Sequence, residues 1–112
     1  DVSVFRWERI PRAVSGRIAN RFANRFEVYP DWAIEILLPD QAQTRPLEKL
    51  LHCAEYGTEL GWLIDSEAES VLTLSAESQI KLFRGSQILP VIADVDLSLS
   101  ADDVFCCLHL PD

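Results

Sequence analysis

The sequence predicts a fold of the α/β, or mixed α+β, class: one central mixed sheet flanked by helices. Three observations predict it. Residues 31–38, 61–65 and 70–74 are short apolar runs bounded by proline, glycine or charged turns, which is the pattern of buried strands. Between the first two of these, Leu47, Leu50, Leu51 and Ala54 recur at helical spacing. The chain has 112 residues, 48% of them apolar and 25% charged, which suits one soluble domain with a single core.

The opening residues Asp1-Val2-Ser3-Val4-Phe5-Arg6-Trp7 alternate like a strand, with Val2 and Val4 on one face and Phe5 and Trp7 on the other. Residues 8–26 follow as a long basic loop, with Pro11, Ser15 and Gly16 as turn signals. Within it Ala19-Asn20-Arg21-Phe22 is repeated at once as Ala23-Asn24-Arg25-Phe26, a local duplication of the kind loops tolerate. The central run is Trp32-Ala33-Ile34-Glu35-Ile36-Leu37-Leu38, bounded by Pro30 and Pro39. Trp32, Ile34 and Ile36 share one face, and Ala33, Glu35 and Leu37 the other. Glu35 is the misfit, because an ionised carboxylate between two isoleucines needs a cation, a metal or hydrogen bonds. Two readings stay open for it: water at a sheet edge, or a functional site.

A turn at Pro39-Asp40-Gln41 leads to a helix over 44–56, with Thr44 as its cap, Pro46 in its first turn and Gly57 as its stop. Its apolar stripe is expected to pack on the Trp32, Ile34 and Ile36 face. Lys49 falls opposite that stripe and reads, by periodicity alone, as a solvated lysine. Strand 61–65 is expected beside strand 31–38, in parallel, because a helix joins them. Asp65 to Glu69 turn the chain into the returning strand 70–74, and 79–83 adds an edge strand. Residues 85–99 read as extended packing segments. Ser100, followed by Asp102 and Asp103, marks a helix start whose Val104, Phe105 and Leu108 dock on the core. One substantial helix is thin cover for such a sheet, so a further helix and strand upstream of Asp1 are expected. The chain contains no methionine, which agrees with a C-terminal portion of a longer domain.

Charge and cysteines narrow the function classes. The net charge of -8 argues against generic nucleic-acid binding. Its distribution is uneven: residues 1–25 carry +4, through Arg6, Arg9, Arg12, Arg17, Arg21 and Arg25, and the remainder carries -12. That arm has the chemistry to contact phosphates, or to pair with the acidic body as a solvated loop. Cys53, Cys106 and Cys107 are odd in number and two are adjacent, which suits a disulfide framework poorly. They read as reduced, buried, apolar thiols of a cytoplasmic protein. His52-Cys53 and Cys106-Cys107-x-His109 lack paired zinc spacing. No apolar run approaches the ~20 residues of a membrane helix.

Asp1-Val2-Ser3-Val4-Phe5, Pro30-Asp31-Trp32-Ala33-Ile34-Glu35-Ile36-Leu37-Leu38-Pro39, Lys49, Gly57 and Gly61-Trp62-Leu63-Ile64-Asp65 together resemble the Uma-type restriction-endonuclease family. That family, common in cyanobacteria, lies in the PD-(D/E)XK nuclease superfamily. The resemblance covers nearly the whole chain and implies a restriction-endonuclease-like fold. It further implies a Mg²⁺-dependent (or Mn²⁺-dependent) endonuclease acting on DNA, with Asp1, Glu35 and Lys49 as catalytic residues. Asp1 and Glu35, on neighbouring strands, would hold the metal, and Lys49 would serve the water. Asp31 matches a second family aspartate, for which turn or strand capping is the plainer role. A homodimer is expected, and so is weak Mg²⁺ binding and poor cutting by the short chain alone. The alternative function is a non-catalytic domain of the same fold, acting by self-association or partner binding.

Overall fold

A computed structural model describes residues 2–6, 8 and 29–108. Asp1 and nearly all of the basic loop 8–26 lie outside the described residues. The elements run in the order β1 (Val2–Val4), β2 (Trp32–Leu37), α1 (Thr44–Glu55), β3 (Leu60–Asp65), β4 (Ser70–Ser75), β5 (Ile80–Arg84) and α2 (Ala101–Leu108). The five strands form one mixed sheet in that same order. β2 and β3 are parallel, with Glu35 opposite Leu63. β1 pairs antiparallel to β2, with Val2 opposite Ile34. β3–β4 and β4–β5 are antiparallel hairpins. The expected parallel neighbours joined by a helix are therefore present.

The sheet buries both faces. On one, Ala33, Leu63 and Leu74 lie under Leu50, with Leu37, Leu51, Ala54 and Leu72 around them. On the other, Trp32, Trp62, Ile64 and Val71 pack against Leu89, Ile92, Ala101 and Phe105. Helix α1 thus covers the Ala33/Leu37 face, and its expected place over Trp32, Ile34 and Ile36 is corrected. A central parallel strand is apolar on both sides, so alternation does not say which side the crossover helix takes. The opposite face is packed by α2 and the segment before it. There Trp32 and Trp62 meet edge to face at 4.8 Å, and Trp62 Nε1 donates to Pro90 O at 3.0 Å.

Helix ends follow local chemistry, with one correction. Gln43, not Thr44, occupies the N-cap of α1, and it makes no side-chain capping bond. The stop is as expected: Gly57 has φ 104°, Gly57 N–H reaches Ala54 O at 3.4 Å and Thr58 N–H reaches Cys53 O at 3.0 Å. At α2, Ser100 Oγ accepts from Asp103 N–H at 3.1 Å and Asp103 Oδ2 accepts from Ser100 N–H at 2.9 Å. That reciprocal pair closes the helix start. Cys106 and Cys107 are exposed and Cys53 is half-buried, so the buried reading fails for the first two.

Candidate active site

Glu35 stands on the α1 side of β2, between Ala33 and Leu37, and is 9% exposed. It is not at a sheet edge, because β3 pairs with it on one side and β1 pairs with β2 at the adjacent Ile34. Its partner is Lys49, whose Nζ lies 3.2 Å from Glu35 Oε1. The lysine side chain is 65% exposed and the glutamate side chain 12%. This pair removes the cost of a lone buried carboxylate.

Periodicity placed Lys49 in solvent, where most of its side chain stays, and what brings its ammonium to Glu35 lies in α1. Its buried residues are Pro46 and Leu50. Cys53 is half-buried as well, one turn beyond Lys49. The buried face is therefore rotated toward Lys49, which sits on the flank of the helix rather than opposite the sheet. From there the largely exposed side chain brings its ammonium to Glu35. The turn before α1 is itself held by local bonds. Asp40 takes φ 64°, Gln41 N–H reaches Leu38 O at 3.0 Å, and Leu38 N–H reaches Gln41 Oε1 at 3.0 Å. Glu35, Ile36, Leu38, Gln41 and Pro46 line a cleft of about 340 Å³, which gives the carboxylate an approach from solvent.

Cys53 also lies within the field of Glu35 and Lys49, and burial pushes its thiol up. It stays protonated and is a poor ligand or nucleophile. Among the described residues no three His, Cys, Asp or Glu side chains gather as a metal cluster. Asp1 is not one of the described residues, so the structure brings together Glu35 and Lys49 of the three expected site residues.

Asp31 has a different place. It is 3% exposed and accepts Arg6 N–H on Oδ2 at 2.6 Å and Arg6 Nη1 on Oδ1 at 3.0 Å. Arg6 also donates through Nη2 to Glu59 at 2.9 Å and through Nε to Asp94 at 2.7 Å. Those carboxylates hold its guanidinium far above the usual range, always charged. The clamp joins the end of β1, the starts of β2 and β3, and the loop at Asp94. Asp31 thus ties the end of β1 to the start of β2 through Arg6, and Arg6 belongs to this clamp rather than to a free basic arm. A second group escaped sequence reasoning. Tyr29, His52 and Tyr56 form a cluster of rings beside α1, with centroids 4.8–5.6 Å apart. Its sequence signal is the i, i+4 spacing of His52 and Tyr56.

Residues 1–102 match the model of the Uma2 family, described as putative restriction endonuclease. The chain belongs to the Uma2 family. A solved structure described as a putative nuclease belonging to DUF820, from Anabaena variabilis ATCC 29413, superposes with a TM-score of 0.87 at 42% identity. The match covers 97% of this chain and 60% of that one, so the chain spans about three-fifths of its relative's length. Among curated proteins none matches. Asp1, Glu35 and Lys49 all fall within the stretch that matches the Uma2 model.

Proposed function

We propose that this Uma2 domain hydrolyses phosphodiester bonds in DNA, with Mg²⁺ or Mn²⁺ held by Asp1 and Glu35 and with Lys49 serving the attacking water. One observation carries the reading: a buried glutamate and a helix lysine, 3.2 Å apart beside an open cleft, in a Uma2 chain. Glu35 fits the metal chemically, being a hard oxygen donor reached from a cleft. Asp1 directly precedes Val2, whose partner is Ile34, the neighbour of Glu35. When bound, the metal supplies Lewis acidity and a more acidic water.

The chain's own residues do the rest. Glu35 is held by its place in β2 beside Leu63 of β3 and by Lys49, so its oxygens lose little freedom on binding a cation. Lys49 brings a positive charge to the cleft, where it orients water and balances charge building on a phosphate. Most of the lysine side chain is exposed, so its ammonium can leave Glu35 for substrate.

The roles separate by experiment. Mn²⁺ binding, read from the electron paramagnetic resonance of free Mn²⁺, weakens by about tenfold or more in Glu35→Gln and persists in Lys49→Ala. Cleavage falls by roughly 10²-fold or more in both variants. Unchanged Mn²⁺ binding in Glu35→Gln contradicts the metal assignment, and full cleavage by Lys49→Ala contradicts the lysine's role.

A further inference from the structure

Beside the candidate site, the outer flank of α1 carries a feature that hydrolysis does not use. Tyr29 and Tyr56 stack at 5.0 Å with their planes 15° apart. His52 meets Tyr56 at 4.8 Å and Tyr29 edge-on at 5.6 Å. Tyr29 Oη and His52 Nε2 share a hydrogen bond of 3.0 Å, which holds the ring geometry from outside α1. Aromatic rings usually reach this density in a core, yet Tyr56 is 58% exposed and His52 is exposed. Tyr56 is the C-cap residue of α1, so its backbone is held as well.

The surroundings select a ligand class. Arg45, Glu48, Lys49, Leu51, His52 and Glu55 line an open depression of about 750 Å³. This is within the size range of small-ligand sites. Its two basic and two acidic side chains cancel, so it is no track for a phosphate backbone. Exposed rings beside a charge-neutral depression suit a flat, uncharged, aromatic group. Lys49, three residues before His52 on the same helix, ties the depression to Glu35.

We propose that the Tyr29–His52–Tyr56 cluster is a stacking platform for an unpaired nucleobase next to the phosphate at Glu35 and Lys49. The substrate class is then single-stranded DNA, or the frayed or unpaired part of a duplex. A paired base has both faces covered by its neighbours and offers none to a ring, whereas an unpaired base does. This inference rests on the hydrolase reading for the phosphate, but the platform itself is tested by binding alone.

The test is fluorescence anisotropy of a labelled 12-nucleotide single strand and of the matching blunt duplex. It is run in EDTA, with the whole chain and its Tyr56→Ala and Tyr56→Trp variants. The single strand binds the unaltered chain more tightly than the duplex does. Tyr56→Ala weakens single-strand binding by roughly tenfold, as removal of one stacking partner does, and changes duplex binding less than about twofold. Tyr56→Trp restores the single-strand affinity, which separates stacking from damage to the fold. The platform is overturned by absent single-strand binding, by an equal loss on both DNAs, or by a Tyr56→Ala variant that binds like the unaltered chain. The hydrolase reading fails separately, if Glu35→Gln cuts as well as the unaltered chain.

Discussion

Buried carboxylates are accommodated in two ways four positions apart, at Asp31 just before β2 and at Glu35 within it. Asp31 is satisfied by Arg6 from a distant part of the chain, whereas Glu35 is satisfied by a lysine that stays largely in water. Asp31→Ala removes two charge-assisted bonds and leaves Arg6 with Glu59 and Asp94. It should lower the stability measured by urea denaturation by roughly 2–3 kcal/mol. Cys53 gives a pH signature. Its folded thiol is raised by burial above the ordinary value of 9.0, so the unfolded chain ionises first as pH rises. The stability held by the neutral thiol is complete below that pH and declines above it. Iodoacetamide at pH 8 should therefore modify Cys106 and Cys107 several-fold faster than Cys53, read by mass spectrometry. Glu35 was legible in the sequence because a carboxylate between isoleucines has few explanations. Lys49 was legible only through resemblance, because the buried side of α1 includes Pro46 and Cys53, which an apolar stripe does not count. The role of Asp31 was hidden because Arg6 lies 25 residues away and looked like part of a basic arm.

At the scale of elements, α1 is positioned by close approach to β3. A Cβ at Gly61 would stand 3.1 Å from Leu50 Cδ2, tighter than ordinary packing allows. Leu50 is 2% exposed and has no solvent to move into. Gly61→Ala should cost ~1–3 kcal/mol, and a double-mutant cycle with Leu50→Val should recover part of that loss. Additive losses in the cycle would show that the two positions are not in contact. The same helix carries Lys49 to Glu35, so Gly61→Ala should also reduce the proposed Mn²⁺-dependent cleavage more than its stability loss explains. Strand boundaries, the Gly57 stop and the Ser100 start were legible because each rests on local chemistry. The side of the sheet that α1 covers was not, since β2 offers apolar residues on both faces and only tertiary packing decides between them.

For the whole molecule, the fold class followed from periodicity, and residues 85–99 and the docked second helix were expected as packing elements, but the face they cover was not legible. Residues 85–99 have no regular pattern, yet Leu89 and Ile92 are core residues there, bridged to α2 by the pairing of Ile88 with Ser100. The acidic body sets the conditions for any DNA substrate. With -12 over residues 26–112, cutting depends on cations gathered at the site, and binding on the arginines that precede it. The proposed place of Glu35 and Lys49 in a metal-dependent hydrolase site is checked by nicking of supercoiled plasmid, with Mg²⁺ or Mn²⁺ and with EDTA, comparing the unaltered chain with Glu35→Gln at equal concentration. Slow, metal-dependent nicking by the unaltered chain is expected to fall to the EDTA background in Glu35→Gln. Nicking that persists in Glu35→Gln, or an unaltered chain that never rises above the EDTA background, would contradict it.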